Sequence, residues 1–217
     1  MTRGAPDPKL CRVNTRVVVL LSGGGRSLKN LLERAEQLAL EVVLVISNRR
    51  SAYGLARATE AGIPTRVIPR SKAADTAAFT AEVFAACREV EAEWVCLAGF
   101  LKHLAPIPED FRWRVLNVHP SLLPAFGGEG FYGERVHRAA LAHGVRVSGC
   151  TVHLVDDAYD SGPIVVQRAV AVEDGDTPET LAARVFAAEC EAYPEALSRV
   201  RQGFRVEGRR VVFDRPR

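Results

Sequence analysis

Two side chains that can support acyl-transfer chemistry lie two residues apart near the end of one apolar segment. The segment spans residues 115–119 and carries Asn117 and His119. Side chains of an extended chain alternate between two faces, so Asn117 and His119 point to the same face. An amide N–H can donate to an oxyanion that forms during a reaction, and an imidazole can move a proton. The pair is therefore a candidate catalytic unit.

Pro120 follows the pair immediately. Proline cannot donate to a sheet ladder, and it favours extended backbone at the residue before it. The pair is thereby predicted to lie at the carboxyl end of a strand, where open α/β sheets hold their ligand crevices. A lone histidine or a lone asparagine at such a place is more often structural. The catalytic interpretation therefore depends on the longer sequence motif that surrounds the two residues.

The rest of the chain predicts the scaffold that holds this strand. Residues 17–21 and 42–46 are unbroken apolar runs, which are typical of strands covered on both faces. Shorter strands are predicted at 65–69 and 94–100, and longer ones at 145–155 and 164–172, with helical patterns between them. Asp75 and Thr177 precede two of these helices as caps. The order predicts an α/β fold with a mostly parallel sheet and right-handed crossovers.

A glycine-rich loop joins the first strand to the first helix. Residues 22–27 read Ser-Gly-Gly-Gly-Arg-Ser, so backbone N–H groups and a helix N-terminus meet there. This layout is typical of an anion site, and Gly25, Arg26 and Ser27 are its candidate residues. The spacing matches neither a dinucleotide fingerprint nor a Walker loop, which favours a single terminal phosphate. The alternative is a tight turn capped by Ser27.

Composition excludes several classes of protein. The 217 residues carry 29 Lys plus Arg and 26 Asp plus Glu, a net charge of +3, which does not predict binding to nucleic acid or to a membrane. Five scattered cysteines without metal-ligand spacing favour a reduced, cytoplasmic protein without a metal. We predict a lead-in at residues 1–15, a single domain at 16–203, and a C-terminal hairpin and tail at 204–217 whose turn contains Glu207 and Gly208.

Two loops after the catalytic strand are further candidates. The first, at 125–133, holds four glycines and three aromatic residues, and it is predicted either to close over a substrate or to be only a connector. The second, at 156–160, carries three aspartates. A carboxylate beside His119 would raise the pKa of the imidazole. His137 and His153 are predicted to be packing or hydrogen-bonded core residues.

Residues 117–124, Asn-Val-His-Pro-Ser-Leu-Leu-Pro, closely resemble a signature of the formyltransferases that use 10-formyltetrahydrofolate. The resemblance extends from about residue 17 to 200. Its glycine loop, Asn/His string and acidic loop are most similar to those of the phosphoribosylglycinamide formyltransferases of purine synthesis. It implies the formyltransferase fold: a three-layer, mostly parallel twisted sheet with a Rossmann-like N-terminal half and a mixed C-terminal part. It also implies 10-formyltetrahydrofolate as cosubstrate, only small-molecule partners, no metal, and a monomer or homodimer.

The resemblance implies roles for individual residues. Asn117, His119 and Asp160 would be catalytic, with His119 held as a cation by Asp160. Gly25, Arg26, Ser27 and Glu189 would bind phosphoribosylglycinamide, although the helical pattern alone interprets Glu189 as a solvated charge. The residues implied for folate binding are Thr76, Leu101, Lys102, His103, Leu104, Asn117, Asp156, Asp157, Ala158, Tyr159 and Asp160.

The implied reaction moves a formyl group from 10-formyltetrahydrofolate to the amine of 5'-phosphoribosylglycinamide, without a covalent intermediate on the protein. Two alternatives stay open at the level of sequence. One is formyl transfer to another amine, such as that of an amino sugar nucleotide. The other is a non-catalytic nucleotide-binding α/β module, against which the presence of all three candidate catalytic residues argues.

Overall fold

A computed structural model of the chain describes residues 14–213, and the predicted lead-in lies outside it apart from Asn14 and Thr15. The nine strands of this range are β1 (Thr15–Leu21), β2 (Leu40–Ser47), β3 (Thr65–Val67), β4 (Trp94–Leu97), β5 (Val115–His119), β6 (Val147–Leu154), β7 (Ile164–Ala171), β8 (Phe204–Glu207) and β9 (Arg210–Phe213). Its six α-helices are α1 (Arg26–Glu33), α2 (Ala35–Leu38), α3 (Tyr53–Glu60), α4 (Thr76–Glu89), α5 (Glu134–Ala142) and α6 (Pro178–Arg201).

All nine strands form one sheet in the order β3-β2-β1-β4-β5-β6-β7-β9-β8. The five strands from β3 to β5 pair in parallel. Strand β6 then runs antiparallel to both β5 and β7, and the hairpin β8–β9 joins β7 through a parallel pairing. The structure confirms the predicted α/β fold with a parallel first half and a mixed second half.

The sheet is covered on both faces, which explains the unbroken apolar runs. Along β1, Val17, Val19 and Leu21 belong to one buried cluster, which includes side chains of α1, α3, α5 and α6. Val18 and Leu20 point the other way into a second cluster, which is filled largely by α4. Alternate residues of one strand therefore enter two cores, and both sets must be apolar.

Helix α6 is fixed against the centre of the sheet. The Tyr193 hydroxyl lies 3.1 Å from the Leu97 carbonyl oxygen, at the end of β4, and 3.0 Å from that of Leu116, near the start of β5, so its proton is shared between the two strands. A buried tyrosine hydroxyl needs such partners. The contact holds α6 beside the strand that carries Asn117 and His119.

Several predicted boundaries differ from the observed ones. Strand β4 ends at Leu97 because Gly99, at φ 74°, turns the chain away from the sheet. Strand β3 ends at Val67 rather than at residue 69. Glu207 pairs with Arg210, so the hairpin turn is Gly208 and Arg209 instead of Glu207 and Gly208. The capping predictions are confirmed, since Asp75 and Thr177 both accept from backbone N–H groups of their helices.

Candidate active site

One carboxylate from the loop between β6 and β7 meets both polar side chains of β5. The Asn117 amide nitrogen donates to Asp160 Oδ1 at 3.3 Å. His119 Nδ1 lies 3.4 Å from Asp160 Oδ2. Asn117 and His119 thus share a face of the strand, and the acidic loop folds over that face. The three candidate catalytic residues form one contiguous group.

Asp160 is held ionised by this arrangement. Its backbone is left-handed, with φ 48°, and its Oδ2 accepts from the Gly128 N–H at 2.9 Å. Burial alone would raise the pKa of Asp160. The two neighbouring imidazole rings, His153 and His119, and the Gly128 N–H together outweigh burial and lower the pKa of Asp160 below its usual value.

The surroundings of His119 shift its pKa in opposite directions. The ring is only 4% exposed, and this burial, with a smaller effect of His153, lowers the pKa of His119 below its ordinary value, although Asp160 and the Phe126 carbonyl raise it. This direction runs against the predicted imidazolium, because the cost of removing a charged ring from water outweighs the attraction of one carboxylate. Nε2 lies 2.8 Å from the Phe126 carbonyl oxygen. Both ring nitrogens thus face acceptors, and a ring that gains a proton can donate to both.

His153 determines how the Asn117 amide is turned. His153 Nδ1 lies 2.9 Å from the Leu154 carbonyl oxygen, which makes Nδ1 the protonated nitrogen and leaves Nε2 as an acceptor. The Asn117 amide nitrogen lies 3.1 Å from that Nε2. His153 is a buried, hydrogen-bonded residue as predicted. Its contact with Asn117 was not foreseen, and the pairing of Asn117 with His153 across β5 and β6 accounts for it.

The glycine-rich loop is built to expose backbone N–H groups. Gly25 begins α1 at φ 70°, and no side chain caps the helix, so Ser27 is not the cap. A Cβ on Gly25 would lie 2.7 Å from Gly54 Cα, so only glycine permits this approach of the loop to α3. Arg57 Nε and the Gly54 N–H bind the carbonyls of Gly24 and Gly23. Because these carbonyls already accept hydrogen bonds from α3, the loop presents its N–H groups and the free N-terminus of α1, which together favour binding of an anion.

Arg26, Phe186 and Glu189 lie together beside this loop. The Arg26 guanidinium carbon is 4.1 Å from the centre of the Phe186 ring. Glu189 is partly buried rather than solvated, which corrects the interpretation from the helical pattern. Burial raises the pKa of Glu189 to about 7, and Arg26 only partly opposes this effect. The side chain therefore exchanges a proton near neutral pH.

A cleft of about 860 Å³ joins the two groups. The sequence-predicted residues that line it are Gly25, Arg26, Ser27, Leu101, Lys102, Asn117, His119, Tyr159, Asp160 and Glu189. Its size suits ligands of drug-like or cofactor-like dimensions. The structure thus connects the catalytic group to the glycine loop through one continuous space.

Other residues predicted to bind folate do not line this cleft. Leu104 is a core residue, and the Thr76 hydroxyl lies 3.4 Å from an Arg70 nitrogen. Asp157 Oδ1 accepts from the Ile107 N–H at 2.7 Å and so joins two loops. The remaining residues of this set shape the same loops: His103 stacks on Tyr159 at 4.2 Å, and Asp156 Oδ1 accepts from the N–H of Ala158.

The glycine and aromatic loop, predicted either to close over a substrate or to be only a connector, lines the cleft with residues 128–134 and is part of its wall. Other cleft residues were missed from the sequence. Arg49, which follows β2, also lines the cleft, as does Glu179 at the start of α6. His137 is buried as predicted, yet it faces the cleft and its Nδ1 has no hydrogen-bond partner within residues 14–213. The sequence around His137 predicts only a helix, so it does not indicate that this side chain faces a cleft.

Within residues 14–213, no group of three His, Cys, Asp or Glu side chains is arranged to hold a metal ion. No helix in the same range is long and apolar enough to cross a membrane. Cys87, Cys96 and Cys150 are buried thiols, whereas Cys190 is partly exposed. Cys11 lies outside the described residues.

Comparisons with known proteins agree with this geometry. The sequence model of the formyl transferase family matches residues 15–197. The chicken trifunctional purine biosynthetic protein adenosine-3 is 42% identical over 191 residues, which are 87% of this chain and 18% of that protein. A chloroplastic phosphoribosylglycinamide formyltransferase of Vigna unguiculata is 39% identical over 84% of this chain and 59% of its own length. The chain thus covers less than two thirds of the length of each of these two curated relatives.

A solved structure covers the chain more fully. The crystal structure of glycinamide ribonucleotide transformylase 1 from Symbiobacterium toebii superposes with a TM-score of 0.87 and 40% identity. The match covers 94% of this chain and 95% of that one. The sheet order, the grouped Asn117, His119 and Asp160, and these matches lead to one conclusion: the chain belongs to the formyl transferase family.

Proposed function

We propose that this protein transfers a formyl group from 10-formyltetrahydrofolate to the amine of 5'-phosphoribosylglycinamide, as a step of purine synthesis. The observation that carries the proposal is the grouping of Asn117, His119 and Asp160 in a cleft that ends at an open helix N-terminus. Two relatives support it: the Vigna unguiculata protein is a phosphoribosylglycinamide formyltransferase, and the Symbiobacterium toebii protein is a glycinamide ribonucleotide transformylase. A cytoplasmic location and a monomeric or homodimeric state stay predictions from the sequence.

His119 is proposed as the base that accepts the amine proton. The amine nitrogen attacks the formyl carbon, a C–N bond forms, and the carbonyl oxygen becomes an oxyanion. A neutral imidazole is ready to take the proton released by the amine nitrogen. The resulting imidazolium can donate to Asp160 Oδ2 and to the Phe126 carbonyl. General acid–base catalysis of this kind contributes roughly 10²–10⁴ in rate.

Asn117 is proposed as the donor to the oxyanion. Its two N–H groups are directed to His153 Nε2 at 3.1 Å and to Asp160 Oδ1 at 3.3 Å. We expect the oxyanion to replace Asp160 at the longer contact, while His153 keeps the amide in place. In other enzymes, loss of one such donor lowers kcat by about 10²–10³. When the bond between the carbon and N10 of the folate breaks, the proton returns from His119 to N10.

The two substrates are assigned to opposite parts of the cleft. The N–H groups of Gly25, Arg26 and Ser27 would bind the terminal phosphate, and Glu189 would bind near the amine-bearing part of the same substrate. Leu101, Lys102 and Tyr159 would contact the folate, with His103 and Asp157 fixing the loops from behind. No residue of the protein forms a covalent bond to the formyl group, and no step requires a metal.

The test is a spectrophotometric formyl-transfer assay with 10-formyltetrahydrofolate and phosphoribosylglycinamide. We expect turnover with the phosphorylated substrate and much weaker binding of the phosphate-free riboside. If the folate binds but this amine is not formylated, the acceptor is another amine, such as that of an amino sugar nucleotide. If neither substrate binds, the chain is a non-catalytic module and the proposal is wrong.

A further inference from the structure

The Arg26 side chain has two possible partners at the phosphate end of the cleft. Its guanidinium carbon lies 4.1 Å from the centre of the Phe186 ring, and Glu189 follows Phe186 by three positions on α6. Residues three apart on a helix lie on the same face. All three side chains line the cleft. The ring and the carboxylate thus offer the same cation two alternative positions.

In the structure, the Arg26 guanidinium lies against the Phe186 ring. Phe186 holds the guanidinium by a cation–π contact, and among residues 14–213 no Arg26 nitrogen lies within 4.0 Å of a Glu189 oxygen. Arg26 is near enough to lower the pKa of Glu189, yet burial prevails and raises that pKa to about 7, so the two side chains are neighbours that form no ion pair. An ion pair between Arg26 and Glu189 would neutralise the cation needed for a phosphate.

We propose that Phe186 is a positioning residue that holds Arg26 for a phosphomonoester and keeps it from pairing with Glu189. The inference rests on the proposed function for the identity of the phosphorylated substrate. It assigns separate tasks to the three side chains. Arg26 supplies a free positive charge beside the N–H groups of the glycine loop, Glu189 stays available to an uncharged or cationic part of the substrate, and Phe186 keeps the two apart.

Binding of ribose 5-phosphate to the full chain, measured by calorimetry, tests this inference without formyl transfer. Cation–π contacts at exposed sites are small, so F186L should weaken binding by about two- to fivefold. F186Y keeps the ring and should bind like the parent. The matched control is F213L, which removes the ring that faces Arg199 in the C-terminal hairpin, and it should also bind like the parent.

A second measurement separates positioning from general packing. In an R26A background, F186L should cause no further loss of ribose 5-phosphate affinity. The Glu189 carboxyl, followed by carbon NMR, should titrate at lower pH in F186L because Arg26 can then approach it. The other titratable groups coupled to Glu189 are Cys150 of β6 and Cys190 of α6, and both thiols are unchanged in this variant.

Each other outcome contradicts the inference. Parent-like binding by F186L, a loss in F186Y equal to that in F186L, or an undiminished effect of F186L in the R26A background would each show that the ring does not position Arg26. A parent chain that does not bind ribose 5-phosphate also overturns it. A chain that binds as expected but transfers no formyl group keeps this inference and removes the proposed function alone.

Discussion

Replacing Asp160 with asparagine removes one charge from the centre of the catalytic group and keeps its shape. The asparagine oxygen can still accept from the Gly128 N–H, so the loop should remain in place. The carboxylate that faces His119 Nδ1 at 3.4 Å is lost. At that distance two unit charges interact by about 5 kcal/mol in an effective dielectric of about 20. This attraction acts only when His119 is protonated, which is the state formed as the amine attacks.

The expected result follows from that difference. Because burial lowers the pKa of His119 and the attraction acts only on the protonated ring, D160N should change the binding of either substrate little. The transition state loses up to about 5 kcal/mol, and each 1.36 kcal/mol corresponds to a factor of ten in rate, so kcat should fall by up to about 5 × 10³-fold. KM should stay within about threefold of the parent value, since the lost interaction is made mainly in the transition state.

Steady-state formyl transfer with both substrates varied gives kcat and KM separately. Titration with a non-reactive folate analogue shows whether the site of D160N is intact. D110N is a matched control, because Asp110 is an exposed aspartate paired with Arg88, and its activity should be unchanged. A kcat of D160N within about threefold of the parent, with normal folate binding, would refute the proposed role of Asp160.

Three further predictions concern protonation and backbone strain. Because burial lowers the pKa of His119, kcat/KM should rise with pH through a midpoint below 6.5; a pH–rate profile with a higher midpoint contradicts a neutral resting ring. Glu189 has a folded pKa of about 7 against 4.5 ordinarily, so the parent loses stability as pH rises through 7. E189Q should match the parent below pH 4.5 and exceed its free energy of unfolding by about 1–3 kcal/mol above pH 7, which urea unfolding at several pH values can measure. G25A places a Cβ 2.7 Å from Gly54 Cα at a positive φ and should reduce the free energy of unfolding by roughly 1–3 kcal/mol, whereas G24A, with open space around it, should not.

The fold was predictable because its signals are local. Unbroken apolar runs identify strands buried on two faces, and Asp75 and Thr177 mark helix starts by their own hydrogen bonds. The common face of Asn117 and His119 follows from the two-residue period of a strand. None of these inferences requires knowledge of distant contacts.

The parts that were missed depend on packing between distant segments. Whether Glu189 is solvated is decided by α1 and β6 lying against α6, and the helical pattern of α6 alone cannot report this. The pKa of His119 is a balance between burial and His153, which lower it, and the two acceptors, which raise it, and of these only the carboxylate was foreseen. His137 faces the cleft because of how α5 is placed beside it, and its neighbours in sequence do not indicate this.

The side chains of Asn117, His119 and Asp160 already have hydrogen-bond partners within the protein. The Asn117 amide nitrogen has two acceptors, and both nitrogens of His119 face oxygen atoms. The contacts are unequal: those to His153 and to the Phe126 carbonyl measure 3.1 and 2.8 Å, whereas the contacts of Asn117 and His119 with Asp160 measure 3.3 and 3.4 Å. A substrate that enters the cleft therefore replaces the contact of Asn117 with Asp160 most easily, while His153 and the Phe126 carbonyl keep the Asn117 and His119 side chains in position. Substitution of His153 should then disturb the orientation of Asn117, whereas substitution of Asp160 should remove charge from the reaction itself.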